Sequence, residues 1–248
     1  MNATPAEVPR RLAVVAHFDP GGEASEVVLD LLTSLKPLCS EIIIVSTGLS
    51  EEGCHELARF GTVIRRFNLG YDFSSWRVGL EHARRTFEFT QFDEIITVND
   101  SFYQLRDGAI AGDLAAMPES EGDIWGLTAS RQKLFHLQSY FLVFKRAAFL
   151  SRWFDQFWSS VWEYGTRDYV IATYELFLAR SAAAAGLRIA ALFDTHRIDR
   201  IGADEKHLNP TNRHWRHVAG LVGIAKVELI RSNPHGENLS SLATHVSP

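Results

Sequence analysis

Three short polar residues, Asn99, Asp100 and Ser101, come directly after an apolar stretch at residues 94–98. Carboxylate oxygens such as those of Asp100 are ligands that Mg²⁺ and Mn²⁺ prefer, and these ions commonly bridge a protein to a phosphate. The diphosphate that leaves a nucleotide sugar gains negative charge, which such an ion can neutralise. The same residue types also form Asx turns and helix N-caps. The pattern predicts a diphosphate site around Asp100. It leaves open a structural role for Asp100 and, because a single carboxylate is a poor metal site, the need for a metal.

The segment at residues 68–76 provides a second group of candidates for contacting the donor nucleotide. Gly70 allows the backbone to turn tightly, and Asn68 and Tyr71 flank that turn. The carboxylate of Asp72 is predicted to accept hydrogen bonds from a ribose or a base, or alternatively to cap the helix that follows. Trp76 is predicted to lie in the core rather than to stack on a ligand.

Glu175 is the candidate general base. It lies in a predicted helix at residues 168–185, at the edge of an apolar stripe that contains Ile171 and Leu178. Partial burial of its carboxyl group would favour the acceptance of a proton from a substrate hydroxyl. An ordinary, partly exposed glutamate is the alternative.

Six further polar residues lie late in the chain. The first three are predicted to bind sugar hydroxyls at the start of an apolar strand: His136, Gln138 and Ser139. The other three belong to a polar C-terminal stretch that could fold back over a diphosphate or a metal: His207, His214 and Arg216. A capped surface position for His136 and a solvated helix face around Arg216 are the alternatives.

Alternating strands and helices must position these residues. Apolar runs at residues 12–16, 41–47, 62–67 and 94–98 predict buried strands, and amphipathic stretches between them predict helices. Ser50 is expected to cap the second helix, and Ser74 or Ser75 the third. This order predicts an α/β fold that is Rossmann-like, with a mostly parallel central sheet and helices on both faces. Because loops after parallel strands meet at one edge, His17 and Asp19 are expected to join the donor site.

The bulk properties narrow the class of protein. The 248 residues carry a formal net charge of −5 with no long basic run, which argues against a nucleic acid partner. Two cysteines cannot build a disulfide framework, so a cytoplasmic location is expected. No apolar stretch is long enough to cross a membrane, although a peripheral position at the inner membrane is compatible with the sequence. The expected organisation is a disordered tail at residues 1–10, a catalytic domain at residues 11–193 and an extension at residues 194–248 that packs on the active site.

Six motifs in order resemble the rhamnan synthesis protein F family of bacterial glycosyltransferases. The similarity runs from about residue 11 to about residue 235. The matching stretches are Val15–Gly22, Asn68–Trp76, Val98–Ser101, His136–Phe144, Tyr174-Glu175, and Asn209–Thr211 with His214–Arg216.

This resemblance implies transfer of rhamnose from a nucleotide donor, dTDP- or GDP-linked, to a glycan or lipid-linked acceptor of a surface polysaccharide. It also implies a GT-A-like fold, in which an Asp-x-Asp motif holds Mg²⁺ or Mn²⁺ and the donor diphosphate. Asn99-Asp100-Ser101 stands at that position with one carboxylate only. Glu175 matches the base of inverting members, and His207 or His214 matches a late histidine that contacts the metal or the diphosphate.

Two other functions are compatible with parts of the sequence. A non-catalytic module that binds a sugar or a protein partner would explain the missing carboxylate of Asp-x-Asp. A metal-dependent sugar de-N-acetylase is suggested by Ala16–Asp19 and by the spacing of His214 and His217. The de-N-acetylase pattern, however, requires a second Asp and a Glu at positions where this sequence has Pro20 and Gly21.

Overall fold

The computed structural model of the chain describes residues 9–117 and 121–242. Residues 1–8 of the predicted tail and residues 243–248 of the predicted extension lie outside this part. The strands are β1 (Arg11–Phe18), β2 (Glu41–Thr47), β3 (Thr62–Arg66), β4 (Glu94–Asn99), β5 (Phe102–Gln104), β6 (Ile124–Ser130), β7 (His136–Leu137), β8 (Phe141–Lys145), β9 (Ile189–Asp194) and β10 (Ile224–Lys226).

Helices follow most of these strands, as expected for an α/β protein. They are α1 (Glu26–Leu35), α2 (Glu51–Ala58), α3 (Tyr71–Thr86), α4 (Ala109–Ala116), α5 (Arg146–Phe149), α6 (Arg152–Ser159), α7 (Arg167–Val170), α8 (Leu176–Ala184), α9 (Pro210–Arg213), α10 (Trp215–Leu221) and α11 (Val227–Ser232). Each helix in the described ranges is too short or too polar to cross a membrane.

The central sheet has eight strands and is mostly parallel. Its order is β3-β2-β1-β4-β8-β6, with β7 and β9 both paired to β6. The pairs of β1 with β2 and β4, of β2 with β3, and of β6 with β9 are parallel, whereas β7 and β8 run in the opposite direction. The predicted fold class is confirmed.

Strands β1, β2 and β4 are buried on both faces because helices cover both sides of the sheet. The prediction that residues 62–67 form a buried strand is wrong on burial, because β3 is the edge strand and each of its residues is partly or fully exposed. Along β1, Val14 packs into one apolar cluster with Trp76 of α3, and Val15 packs into a second cluster with Leu31 of α1. This arrangement explains why the parallel strands are continuously apolar instead of alternating. Trp76 is fully buried, and its indole Nε1 donates to the carbonyl of Val98 at 3.0 Å, so the predicted core position is confirmed.

The N-cap predicted for α2 agrees with the structure, whereas the N-cap predicted for α3 does not. The hydroxyl of Ser50 accepts the backbone N–H of Gly53 at 3.1 Å, which confirms the predicted N-cap of α2. The prediction that Ser74 or Ser75 caps α3 is wrong. Helix α3 starts at Tyr71, directly after Gly70, which has a left-handed backbone with φ of 74°, and both serines are buried within the helix. The permissive backbone of glycine starts the helix one turn earlier than a side-chain cap would.

Two features of the late chain differ from the sequence expectation. The single helix predicted at residues 168–185 is divided by a π-helical turn at Ile171–Glu175, which joins α7 to α8. The three-residue strands β5 and β10 form a separate antiparallel pair, which attaches the C-terminal stretch beside the end of β4. The last strand of the central sheet ends at Asp194. The division of the chain into a catalytic domain at residues 11–193 and an extension at residues 194–248 stays a prediction.

Candidate active site

A cavity of about 500 Å³ opens at the carboxyl ends of the parallel strands. The chain reverses its order in the sheet between β1 and β4, because β2 and β3 lie on one side of β1 and β4 lies on the other. Ligands of open α/β sheets bind at such a switch point. Eight of the residues predicted from the sequence line the cavity: Tyr71, Asp72, Asn99, Ser101, His136, Gln138, Ser139 and Glu175.

A series of hydrogen bonds links the first turn of α3 to the end of β4. Asn99 donates from Nδ2 to Oδ2 of Asp72 at 2.7 Å. Its other amide atom, Oδ1, accepts from the backbone N–H of Ser101 at 3.2 Å and from the Ser101 hydroxyl. Burial raises the pKa of Asp72, while the Asn99 amide and the nearby Lys226 and Arg167 act in the opposite direction. Asn99 therefore holds the Asp72 carboxylate in place at the cavity wall.

Asp100 takes no part in this series of hydrogen bonds, because its side chain points toward the end of β1. Its carboxylate oxygen Oδ2 lies 3.7 Å from Nε2 of His17, and the cavity lining does not include Asp100. Burial, together with the neighbouring Asp72, raises the pKa of Asp100 to about 7. The ring of His17 is buried, and its Nδ1 lies 2.7 Å from the hydroxyl of Ser46. The structure thus brings His17 and Asp100 together next to the cavity rather than on its wall.

Acid is expected to destabilise the protein through His17. Burial lowers the pKa of His17 to about 4, whereas in the unfolded chain it is near 6.5. Between these values the unfolded chain binds a proton that the folded chain excludes, so stability is lost as the pH falls from about 6.5 to about 4. In a His17→Gln variant this titration is absent. Relative to the variant, the wild type should lose about 2–3 kcal/mol of unfolding free energy between pH 7 and pH 4. Urea unfolding of both proteins at these pH values measures the change, and a difference independent of pH would contradict the expectation.

The candidate base is fixed by a single contact. The backbone N–H of Ser139 donates to Oε1 of Glu175 at 2.9 Å. Glu175 lies at the end of the π-helical turn, and such turns occur frequently at functional sites. Beside it, the amide of Gln138 accepts from Thr128 at 2.8 Å and donates to Thr211 at 3.3 Å, which orients Gln138 in the wall. The imidazole of His136 is held through Nδ1, 2.9 Å from the carbonyl of Leu134.

Three lysine or arginine residues that the sequence did not single out also line the cavity, namely Lys133, Arg167 and Lys226. Of these, Arg167 and Lys226 act on each other electrostatically. Arg167 is the first residue of α7, and Lys226 is the last residue of β10. The short run Ile224-Ala225-Lys226 has no periodicity that identifies a strand. The position of Arg167, eight residues before Glu175 and at the start of a helical pattern, was the one available sequence signal.

A family model described as rhamnan synthesis protein F matches residues 42–232, which is more than half of the chain. The chain belongs to this family. It is 28% identical over 202 residues to "Virulence protein VirA" of Vibrio anguillarum, and the match covers 70% of this chain and 63% of that protein. It is 26% identical over 190 residues to the "Uncharacterized protein y4gN" of Sinorhizobium fredii, over 73% of this chain and 48% of that protein. The chain therefore spans about half to two thirds of the length of these relatives.

Two solved structures are similar to this chain at low sequence identity. A mannosyltransferase from Pyrobaculum calidifontis in complex with GDP-Man and Mn²⁺ has a TM-score of 0.47 at 11% identity, covering 75% of this chain and 55% of that chain. A 4-diphosphocytidyl-2C-methyl-D-erythritol synthase has a TM-score of 0.48 at 14% identity, covering 81% of this chain and 96% of that chain.

Three of the residues predicted to bind the donor in this member of the rhamnan synthesis protein F family do not line the cavity. Asp19 is used by its own turn, because its Oδ1 accepts the backbone N–H groups of Gly21 and Glu23. Asn68 is exposed and does not line the cavity. Gly70 stands behind the wall, where its left-handed backbone starts the helix that carries Asp72.

The three late candidates for the diphosphate do not reach the cavity. His207 is exposed and lies outside the lining. His214 is buried, and its Nε2 lies 3.0 Å from the carbonyl of Glu205. Arg216 donates to the carbonyl of Asn238 at 2.7 Å and stacks on Trp215, on a different surface of the protein. These contacts correct the expectation that the three residues gather over the ligand, because each is held by the local structure of the C-terminal stretch. The C-terminal residues that do line the cavity include Asn209, Thr211 and Lys226.

The Mg²⁺ or Mn²⁺ ion that the family resemblance implies would have an incomplete set of protein ligands at this site. Across residues 9–117 and 121–242, no group of three or more His, Cys, Asp or Glu side chains could hold a metal ion. The Asp72 carboxylate is engaged by Asn99, and Asp100 faces His17. The same finding gives the de-N-acetylase alternative no zinc site among the described residues. We therefore derive no catalytic step through a metal.

Proposed function

We propose that this chain is a glycosyltransferase that moves a sugar, rhamnose in the first instance, from a nucleotide-diphosphate donor to a hydroxyl of a glycan acceptor. Membership of the rhamnan synthesis protein F family supports the reaction class and the sugar. The position of the cavity at the switch point of the sheet supports a nucleotide ligand. We further propose a dTDP- or GDP-linked donor, a polysaccharide or lipid-linked acceptor, and a cytoplasmic location peripheral to the inner membrane.

One observation carries the catalytic part of the proposal. Glu175 presents a carboxylate to the cavity, with Oε1 fixed by the backbone of Ser139. Among the described residues, the other carboxylate oxygen has no hydrogen-bond donor. A carboxylate that is oriented through one oxygen and free at the other suits a general base.

The reaction that this arrangement supports is a displacement with inversion. The acceptor hydroxyl attacks the anomeric carbon while Glu175 removes its proton. The bond from the anomeric carbon to the diphosphate oxygen breaks, and the nucleoside diphosphate leaves with the bonding electrons. The hydrogen-bonded pair of Asp72 and Asn99 is proposed to accept and donate hydrogen bonds to the ribose or the base. His136, Gln138 and Ser139 are proposed to contact sugar hydroxyls, since they stand on the same wall as Glu175.

Binding of the donor is the direct test of this proposal. A ligand at 100 times its Kd stabilises the folded state by about 2.7 kcal/mol. For a protein of this size such a gain raises the Tm by roughly 5–10 °C. We expect dTDP-rhamnose or GDP-rhamnose to produce this shift in thermal unfolding, and free rhamnose to produce none. The screen is run with Mg²⁺, with Mn²⁺ and with EDTA. If no nucleoside diphosphate and no nucleotide sugar changes the Tm under any of these conditions, the proposal is wrong.

A further inference from the structure

Lys226 brings a partly buried positive charge into the cavity from the C-terminal stretch of the chain. Strand β10 pairs with β5, so that Lys226 lies opposite Phe102, and the N–H of Val227 donates to the carbonyl of Ser101 at 2.9 Å. The ammonium group donates to the hydroxyl of Ser101, and it lies 4.3 Å from the centre of the Tyr140 ring. The backbone and the side chain of this lysine are therefore both fixed.

The ammonium group of Lys226 lacks a close anionic partner. In the part of the chain that the structure describes, it forms no ion pair, and Ser101 is its one hydrogen-bond partner. Three carboxylates act on this ammonium group, namely those of Glu175, Asp72 and Glu228. Asp72 accepts a hydrogen bond from Asn99, Glu175 accepts one from the backbone of Ser139, and Glu228 lines the same cavity without forming an ion pair with Lys226 among the described residues. Burial lowers the pKa of Lys226 to about 8, so the group is still mainly protonated at neutral pH. A partly buried cation without an ion-pair partner is unfavourable, and an anionic ligand would reduce this cost.

Arg167 adds a second positive charge at the same cavity. Its guanidinium acts on both Asp72 and Lys226, and it lowers the pKa of Lys226 further. The fold thus holds two cations at the cavity although they repel each other. A ligand with two negative charges would interact favourably with both of them.

We propose that Lys226 is the resident cation that binds the diphosphate of the donor, with Arg167 as a second contact at the mouth of the cavity. This inference rests on the proposed function for the identity of the ligand. The lysine occupies the position next to Asn99-Asp100-Ser101 where a metal ion would be expected, and the described residues supply no complete ligand set for such an ion. A lysine ammonium is a common phosphate ligand and acts as a point charge. It would stabilise the departing diphosphate as its charge develops.

The test measures the binding of dTDP, GDP and inorganic pyrophosphate by calorimetry, once in EDTA and once with Mg²⁺ or Mn²⁺. The proteins compared are the wild type, Lys226→Met and Lys36→Met. Lys36 donates to the carbonyl of Phe60, outside the cavity, so its variant removes the same charge elsewhere. We expect Lys226→Met to bind the preferred diphosphate about 10- to 100-fold more weakly than the wild type. Lys36→Met should bind within about threefold of the wild type. Thermal unfolding checks that each variant is folded. Lys226→Arg keeps the positive charge and should retain most of the affinity. If Lys226→Met does not fold, Lys226→Arg is the variant whose affinity is compared with that of the wild type.

The outcomes separate this inference from the proposed function. If the wild type binds a nucleoside diphosphate and Lys226→Met binds it equally well, the role of Lys226 is refuted while the transferase proposal stands. If pyrophosphate binds in a Lys226-dependent manner and no nucleoside diphosphate binds, Lys226 is an anion site and the transferase proposal fails. If neither binds to the wild type, both are overturned. Binding that EDTA abolishes in the wild type would assign the role to a metal instead of Lys226.

Discussion

Replacing Glu175 with Gln is expected to lower the rate of sugar transfer about 10²- to 10⁴-fold, which is the usual contribution of a positioned general base. Gln has the same shape as Glu, and its carbonyl oxygen can still accept the backbone N–H of Ser139. The variant should therefore keep the wall of the cavity and bind the donor within about threefold of the wild type. Its amide, however, cannot accept the proton of the acceptor hydroxyl.

Two measurements on each protein separate these effects, namely transfer from the donor identified by the binding screen and the Kd of that donor. Glu56→Gln is the matched control, because this glutamate lies on the exposed surface of α2 and pairs with Arg59. It should leave both quantities unchanged. If Glu175→Gln transfers the sugar at the full rate, Glu175 is not the base. If the wild type binds the donor without transferring it to any acceptor, the non-catalytic module becomes the better description.

Replacing Gly70 with Ala is expected to destabilise the protein by about 2–4 kcal/mol, because two costs add at this position. The backbone of Gly70 has φ of +74°, which a residue with a Cβ adopts only with strain. An added Cβ would also lie 2.8 Å from Cα of Glu163 and closer still to the hydroxyl of Ser74. Because Gly70 begins the helix that carries Asp72, a backbone shift here would move a wall of the cavity. For a chain of this length the Tm should fall by roughly 5–15 °C.

Gly108 provides a control that isolates the steric part of this effect. It also precedes a helix, α4, with φ of +69°. Among the residues that the structure describes, and apart from its own neighbours in the chain, no atom lies within 4 Å of the position where its Cβ would stand. Gly108→Ala should therefore cost only the backbone strain, about 1 kcal/mol. The two variants are compared by urea unfolding. Equal destabilisation of the two proteins would show that the close approach of Glu163 and Ser74 to Gly70 has no energetic consequence.

The central sheet was predictable because its strands are long, apolar and close to their neighbours in sequence. Residues 12–16 and 42–45 form continuous apolar runs rich in β-branched residues, which are typical of strands buried on both faces. The serine cap of α2 followed from side-chain chemistry. The start of α3 did not, since two serines in sequence suggested a cap whereas the left-handed backbone of Gly70 starts the helix earlier. A local pattern cannot show which of two competing signals the tertiary structure uses.

The candidate site was predictable where its residues directly follow strands. Asn99 and Ser101 were found in this way, because parallel strands bring their carboxyl ends to one edge. Asp72 was found from the glycine turn that leads from β3 into α3. The direction in which each side chain points was not predictable, and Asp100 consequently turned out to face His17. The contribution of Lys226 depends on a three-residue strand whose partner lies more than a hundred positions earlier. Pairing over such a distance leaves no trace in the local sequence.

The pairing of β10 with β5 has a consequence for the order in which this protein is made. Synthesis proceeds from the N-terminus, so the ribosome releases all eight strands of the central sheet before it releases Lys226. The nascent chain can thus bury its apolar strands while the cavity still lacks the ammonium group of Lys226. Docking of Ile224–Lys226 against Phe102–Gln104 closes a loop of more than a hundred residues, which is a late event when local contacts form first. On the proposed role of Lys226, stability and ligand binding are acquired at different times. A nascent chain that has not yet reached residue 224 has all eight strands of the central sheet but not the cation proposed to bind the diphosphate.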